Sequence, residues 1–234
     1  MRTALLDNIA HADLRLRRES GPDFGDPAGQ VAVFLPELPQ VQRQYPILFT
    51  RDEEGAASPI ALTGLQHDEL LFTSASGWDA DYVPAAARKG PFLLGKSEGD
   101  DTLIHIALDH PKITNDAENA DRLFLPHGGH APALENALDA LRLIHSGIEP
   151  TRRMAAAFDE AKLVQPLSFN VQVSETQAVK FDNFHAILPE AIDALPAEAL
   201  STLSAEGFLQ PAVLIAHSLG NINRLIQRKR MREA

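Results

Sequence analysis

A group of aromatic and charged side chains lies in the turn-rich stretch around the only tryptophan of the chain: Trp78, Asp81, Tyr82 and Arg88. Indole and phenol rings combine apolar area with a polar handle, and a nearby carboxylate and guanidinium can orient a polar ligand. We predict these four residues as a ligand-binding site. The same pattern also fits packing, with both rings closing the end of a sheet and anchoring a short helix.

A histidine and an aspartate near the start have the spacing of a metal-binding pair. His11-Ala12-Asp13 matches the His-x-Asp element of a non-haem iron facial triad, which needs a distant second histidine. His185 or His217 could supply that ligand. The alternative is that His11 and Asp13 form a surface pair or a cap.

Four further histidines fall in one region of the chain: His105, His110, His127 and His130. Neutral imidazoles can bind zinc, nickel or iron. No acidic residues accompany them at matching spacing, so His105 also fits a packed strand position, and His127 and His130 also fit a loop. We therefore assign no metal ligands, and the sequence leaves any cofactor unknown.

A serine near the end of the chain resembles a hydrolase nucleophile. Ala216-His217-Ser218-Leu219-Gly220 approximates the G-x-S-x-G elbow, which needs a strand before the serine and an Asp and a His after it. Neither His nor Asp follows Ser218, and the pattern begins inside a helix opened by Pro211. The motif therefore does not predict a hydrolase. The Gly-rich phosphate-binding motifs G-x-G-x-x-G and G-x-x-x-x-G-K-[ST] are also absent.

The charge is distributed unevenly along the chain. The net charge is −11, but residues 224–234 carry +4 and the remaining residues −15. An acidic body argues against a broad nucleic-acid surface, because phosphate binding requires a positive field. The basic end fits either an anionic partner or the last turns of a helix, where cations offset the helix dipole.

Cysteine is absent, which excludes disulfides and thiol chemistry. The start lacks the apolar run of a signal peptide, and runs such as 212–216 are far too short to span a membrane. We therefore expect a cytoplasmic protein without a membrane span. A small-molecule ligand or a protein partner remains open, and so does the oligomeric state, because the apolar stripe of the last helix suits either a core or an interface.

Several segments have the pattern of short β-strands joined by tight turns. The close spacing of these segments favours antiparallel hairpins, since parallel crossovers need about a dozen residues or more. The predicted strands are residues 45–50, 59–65, 70–73, 92–96, 102–108, 167–174 and 179–188.

Helical periodicity dominates the second half of the chain. The predicted helices are residues 83–89, one from Pro132 to about residue 148, 151–164, two short ones opened by Pro189 and Pro196, and 211–230. These elements predict an α+β fold with antiparallel sheet, helices packed on it and a mostly helical C-terminal part. We expect a single domain over residues 1–234, with possible sub-lobes 1–131 and 132–234.

Several short segments, taken in order, resemble the SapC family of bacterial proteins over nearly the whole length. They are His11, Tyr45-Pro46-Ile47-Leu48-Phe49, Ala61-Leu62-Thr63-Gly64-Leu65, Trp78 with Tyr82-Val83-Pro84, Pro91-Phe92, and Ala216 to Leu225. The family name implies an association with bacterial surface layers, and related genes lie near TonB-dependent receptors and halogenase-like or cupin-like proteins. No catalytic residues carry over from the family.

Two functions follow from this resemblance. The first is a non-enzymatic accessory or binding protein of a bacterial surface or TonB-linked uptake system, which recognises a small ligand or a partner protein. The second is an iron-dependent, oxygenase-like or modifying enzyme that acts with halogenase-like neighbours. The second requires His11, Asp13 and a distant histidine to converge in space.

Overall fold

The fold is known from a computed structural model that describes residues 2–75, 77–96, 102–172 and 178–233. The link between the predicted strands 92–96 and 102–108, and the last two residues of the strand expected over 167–174, lie outside the described residues. In chain order, the strands are β1 Thr3–Leu5, β2 Arg15–Arg17, β3 Gln30–Ala32, β4 Ile47–Arg51, β5 Ala57–Leu62, β6 Thr73–Ser74, β7 Gly77–Trp78, β8 Phe92–Lys96, β9 Thr102–Ala107, β10 Ile113–Thr114, β11 Ala120–Arg122, β12 Val164–Gln172 and β13 Ala178–Ile187. The helices are α1 Leu38–Val41, α2 Ala85–Arg88, α3 Pro132–Glu160, α4 Pro189–Asp193, α5 Ala197–Ala205, α6 Leu209–Ser218 and α7 Ile222–Glu233.

The chain divides into two compact units, each assembled from two separate segments. Unit 1 comprises Met1–Pro27 and Phe72–His145, and unit 2 comprises Ala28–Leu71 and Ser146–Ala234. Helix α3 contributes its first half to unit 1 and its second half to unit 2. The assignment of one domain to the whole chain stays a prediction.

Unit 1 is built from small sheets and the first half of α3. Its sheets are β1-β9-β8, β10-β2-β11 and the β6–β7 hairpin. Leu134 and Leu138 of α3 are buried in one cluster with Phe92 of β8 and Ile106 of β9. The predicted i, i+4 spacing on the helix therefore provides the apolar face that covers the β8–β9 hairpin.

Unit 2 is organised around a five-stranded sheet of order β12-β13-β4-β5-β3. Its central strand, β4, starts with the fully buried run Ile47, Leu48 and Phe49. A continuous apolar run fits a strand that is covered on both faces. The Phe49 ring meets the Phe158 ring of α3 edge to face, with centroids 6.4 Å apart.

Every strand pairing in the described part of the chain is antiparallel, as the hairpin spacing predicted. With helices accompanying these sheets, the predicted α+β fold is confirmed. The predicted strands 45–50, 92–96 and 102–108 correspond closely to β4, β8 and β9.

Two helix boundaries predicted from proline and periodicity were wrong. Helix α3 runs unbroken through Pro150, where the sequence predicted the end of one helix and the start of another over 151–164. Just after the proline, the Thr151 hydroxyl donates to Gly147 O (2.6 Å) and accepts from Leu35 N (2.8 Å), which anchors the continuing helix. Conversely, the helix expected over 211–230 is divided into α6 and α7 by a 3₁₀ turn at Leu219–Asn221.

Five short strands were not predicted from the sequence. These strands, β1, β2, β3, β10 and β11, each have only two or three residues. A period of two cannot be recognised over so few positions. The strand expected over 70–73 is reduced to the two-residue β6.

No single helix in the described residues is long and apolar enough to cross a membrane, although α5 together with residues 209–233, bent by 101°, passes on length and composition.

Candidate functional site

The β6–β7 hairpin brings Trp78 against the backbone of the N-terminal segment in unit 1. Gly77, which precedes the tryptophan, has φ +117°, and a Cβ there would lie 2.7 Å from Arg18 O. A residue with a side chain would therefore clash in a backbone conformation that glycine adopts easily. This close approach places Trp78 beside β2, where it lines a cavity.

Helix α2 positions Arg88 at the same cavity. Pro84 sits at the N-cap, and the alanines that follow it suit a helical turn. The Arg88 guanidinium carbon lies 5.4 Å from the centre of the Tyr82 ring, within the range of a cation–π contact. Tyr82 thus contacts Arg88 without lining the cavity, and Asp81 is exposed and is not among the lining residues.

The cavity has a volume of about 300 Å³ and lies wholly within unit 1. Its lining joins residues that are distant in sequence, because β2 pairs with both β10 and β11. Cations and acids line it together with Trp78: Arg17, Arg18, Arg88, Lys112, Asp26 and Asp121. Its apolar wall includes Leu16 and Val83. The structure therefore brings Trp78 and Arg88, of the four predicted residues, to one site.

Two of the cations are held by acids within the lining. Arg18 Nε donates to Asp121 Oδ2 (3.0 Å), and its Nη2 donates to Oδ1 of the same carboxylate. This bidentate bond holds the pKa of Asp121 below its usual range. Lys112 Nζ pairs with Asp26 at 2.5 Å, and the Asp26 side chain is only 3% exposed.

The other two cations, Arg17 and Arg88, make no ion pair with a carboxylate within 4.0 Å in the described residues. Arg17 Nη2 donates to Thr114 Oγ1 at 3.4 Å. Arg88 Nε is buried and has no hydrogen-bond partner among the described residues. A buried donor without an acceptor costs about 1–3 kcal/mol, and such groups are uncommon in folded proteins.

Sequence reasoning missed most of this site. Arg17, Arg18, Lys112 and Asp121 were not among the residues predicted for the site. The alternation Arg15-Leu16-Arg17 was a weak strand signal that could have drawn attention to β2. Only the pairing of β2 with segments about a hundred residues away makes one site of them.

A larger cavity, of about 450 Å³, lies in unit 2 beside β13. Its charged lining residues Lys180 and Asp182 pair with each other at 3.0 Å. Its Gly29 and Gly64 allow the backbone to cross closely, because a Cβ at Gly64 would meet Glu69 O at 2.2 Å. These contacts have structural explanations, and the described lining contains no buried unpaired donor comparable to Arg88 Nε.

His11 has a structural role in unit 1. The imidazole is buried, and its Nδ1 accepts a hydrogen bond from Asp7 N (3.0 Å). Asp7 in turn accepts bonds from Ala10 N and Ile9 N, which lower the pKa of its carboxyl. His11 therefore closes a capped turn, as the non-metal alternative expected, while Asp13 is exposed.

The two residues offered as distant ligands, His185 and His217, belong to unit 2. His185 Nε2 accepts from Arg51 Nε at 3.3 Å, and His217 is exposed. Within the residues that the structure describes, no three His, Asp or Glu side chains are arranged to hold a metal ion. The convergence that the oxygenase hypothesis requires is therefore not found there.

The four histidines between residues 105 and 130 each have different local surroundings. His105 stands opposite Leu93 in the β8–β9 hairpin, and its ring fills the space above Gly95, where a Cβ would lie 2.5 Å away. His110 is half-buried, and burial lowers its pKa. His130 Nδ1 lies 2.8 Å from Glu135 Oε1. His127 is exposed.

Ser218 is a structural residue. It is fully buried at the end of α6, where its Oγ donates to Ile215 O (2.6 Å) and accepts from Ile47 N (2.9 Å). A nucleophile must be reachable and must have a base in contact. The serine lies in a helix rather than on a strand-to-helix turn, as the position of Pro211 indicated.

Comparison with known proteins adds one match. The family model for SapC covers residues 6–225 of the 234-residue chain. No curated protein and no solved structure matches the chain. The matched span includes every residue that lines the Trp78 cavity. It also includes the segments that carried the resemblance, among them Trp78, Tyr82-Val83-Pro84 and Ala216 to Leu225. The chain belongs to the SapC family.

Proposed function

We propose that this SapC-family chain is a non-enzymatic accessory protein that recognises a small ligand in the cavity beside Trp78. In this proposal it works from the cytoplasm as the binding component of a bacterial surface or TonB-linked uptake system. Family membership supports the setting. The observation that carries the binding role is the Arg88 side chain, which lines a cavity together with Trp78 and makes no ion pair with a carboxylate of the described residues.

The dimensions and lining of the cavity support this role. Ligand pockets begin at about 300 Å³ and combine an apolar wall with a few placed polar groups. Trp78 and Val83 supply apolar wall, and Arg88 supplies a directed donor whose guanidinium is held against Tyr82. A side chain positioned in this way loses little further rotamer freedom when a ligand binds, which favours affinity.

The alternative, an iron-dependent oxygenase-like enzyme, gains no supporting observation from the described residues. His11 Nδ1 accepts a hydrogen bond from Asp7 N. Within the described residues, no three His, Asp or Glu side chains are arranged to hold a metal ion. Ser218, the other residue with catalytic spacing, has both hydrogen-bonding roles filled. Binding is therefore the function that the geometry favours.

The test uses the fluorescence of Trp78, which is the only tryptophan and lines the cavity. A panel of several hundred small metabolites, neutral, cationic and anionic, is titrated into the full chain while its emission and melting temperature are followed. We expect at least one class of compound to shift both with saturation.

The matched variants are Arg88→Gln and Arg152→Gln. Removing the cavity guanidinium should weaken binding by about tenfold or more, since a hydrogen bond to a charged group contributes about 1.5–3 kcal/mol. Arg152 is an exposed arginine paired with Glu149 in unit 2, so its replacement should leave binding unchanged. A panel in which no compound changes Trp78 emission or melting temperature would refute the proposal.

A further inference from the structure

We infer that the ligand of the Trp78 cavity is a small organic monocarboxylate with an apolar body, whose carboxylate is bound by Arg88 and Arg17. This inference rests on the proposed function and specifies the chemical class of the ligand. It is carried by three features of unit 1: the charges that remain unpaired in the lining, the geometry of Arg88, and the apolar wall.

In the cavity lining, the positive charges outnumber the negative ones, and the excess lies on Arg17 and Arg88. Asp121 is engaged by Arg18, and Asp26 is engaged by Lys112 and by Gly21 N at 3.0 Å. Arg17 and Arg88 form no ion pair within 4.0 Å with the acids of the described residues, although the charge of Arg17 contributes to lowering the pKa of the nearby Glu19. In a partly enclosed cleft, such an excess concentrates its field on an entering anion.

Arg88 presents a fork that suits a carboxylate. Its guanidinium carbon lies 5.4 Å from the centre of the Tyr82 ring, and the side chain lines the cavity without an ion pair to a carboxylate of the described residues. Planar guanidinium edges bind carboxylates through two parallel hydrogen bonds, and lysine cannot reproduce this geometry.

The acids of the lining disfavour a more highly charged ligand. A phosphate monoester carries a charge of about −1.5 to −2 near neutral pH and has three strong acceptor oxygens. Asp26 and Asp121 would repel that charge, and their own cations are already engaged. A carboxylate brings one negative charge and two acceptor positions, which match the two available arginines.

The remaining wall of the cavity is apolar. Leu16, Trp78 and Val83 line it, and an apolar body placed there would be removed from water beside an indole ring. The ligand class is therefore a carboxylic acid with a small hydrocarbon or aromatic group, for which phenylacetate is a suitable probe.

The experiment compares three probes of similar shape by calorimetry on the full chain: phenylacetate, its neutral amide phenylacetamide, and phenyl phosphate. We expect phenylacetate to bind roughly 10- to 100-fold more tightly than the amide, the range that a charge-assisted hydrogen bond provides. The preference should decline with salt, because its source is electrostatic.

Three variants assign the preference to the arginines. Arg88→Gln should bring the acid-to-amide ratio close to one, and Arg88→Lys should retain only part of it because the charge remains but the fork is lost. Arg17→Gln should reduce the ratio to an intermediate value. Arg152→Gln is the control and should keep the wild-type ratio. Melting curves verify that each variant is folded before its titration is interpreted.

The possible outcomes separate this inference from the proposed function. Equal binding of acid and amide, or tighter binding of phenyl phosphate, overturns the monocarboxylate assignment while the cavity remains a binding site. Failure of all three probes also overturns it if other compounds of the metabolite panel still shift Trp78 emission. Failure of the probes and of the whole panel refutes both.

Discussion

Buried polar side chains in this molecule fall into two groups. Ser218 and Thr151 each donate one hydrogen bond and accept another through their hydroxyls, and these bonds tie helices to backbone atoms in unit 2. Asn221 likewise donates to Gln42 O (2.8 Å) and Tyr45 O (3.2 Å). Arg88 differs, because its Nε has no such partner among the described residues. Complete hydrogen bonding indicates a structural residue, whereas the missing acceptor at Arg88 Nε, as at Glu19 Oε2 and His185 Nδ1, is not explained by the contacts of the described residues.

We predict that Ser218→Ala destabilises the protein by about 1–3 kcal/mol, because the buried Ile47 N–H loses its acceptor. Urea unfolding measures the change. The control is Ser201→Ala at an exposed position of α5, where a change within about 0.5 kcal/mol is expected. An alanine variant at 218 as stable as the wild type would show that Ser218 does not anchor α6 to β4.

At the scale of elements, β13 is an irregular strand. Its pairing with β12 shifts register between Leu167 and Phe169, and Asn183 adopts φ +65° at this irregularity. On its other side β13 pairs with β4 only at His185 and Phe49. A bulge bends the strand that carries it, which explains why β13 leaves β4 after one residue pair. The side chain of His185 is therefore at the junction of β13 with the sheet.

We predict that His185 makes the stability of unit 2 depend on pH. Burial and the neighbouring Arg51 lower the pKa of His185 below its ordinary value of 6.5, and Asp159 opposes this shift. Since the unfolded chain binds the proton more readily, this contribution is present above about pH 6.5 and is lost as the pH falls through the lowered folded pKa. Protonation would also remove the acceptor of Arg51 Nε.

The measurement is the free energy of unfolding between pH 5 and pH 8 for the wild type, His185→Gln and His217→Gln. The half-buried His110, whose pKa is also lowered, is common to all three proteins and cancels in the comparison. We expect the loss of stability on acidification to be smaller in His185→Gln. His217 is exposed and its replacement should follow the wild-type curve. Parallel curves for all three would disprove a role for His185.

At the scale of the whole molecule, basic residues of α7 in this acidic chain bind carbonyl and carboxylate groups of unit 2. Arg228 donates to Leu71 O (3.4 Å) and Arg232 to Leu70 O (2.7 Å). Lys229 Nζ lies 2.7 Å from Glu69 Oε1 and 2.9 Å from Glu233 Oε1. Besides their effect on the helix dipole, these cations hold the 69–71 segment of unit 2 to α7.

We predict that Lys229→Met destabilises the protein by about 1–3 kcal/mol. Glu69 and Lys229 are each only 13% exposed, and the hydrogen bond from Lys229 to Glu69 raises the pKa of the lysine. Removing the cation leaves a largely buried carboxylate without its partner. Thermal and urea unfolding provide the measurement.

The matched control is Lys180→Met, which breaks an ion pair with Asp182 whose side chains are 64% and 52% exposed. Surface pairs contribute about 0–1 kcal/mol, so this variant should remain near the wild type. Equal effects of the two replacements would contradict a special role for α7 in holding residues 69–71.

The sequence by itself determined the α+β class, the hairpins β4–β5 and β8–β9, the helical C-terminal part and the family. These follow from local periodicity, turn residues and ordered short segments, all of which are readable over a few neighbouring positions. It also singled out Trp78 and Arg88. Their assignment to a ligand remains a prediction that the cavity makes testable.

Only the tertiary structure decided which charges share the cavity. Leu16 of β2 pairs with Ile113 on one side and Asp121 on the other, which brings Arg17, Lys112 and Asp121 together from distant segments. Strands of two or three residues have no detectable period, and long-range pairing leaves no local trace. The same limit applies to Pro150, where contacts made by Thr151 anchor a helix that local propensity would end.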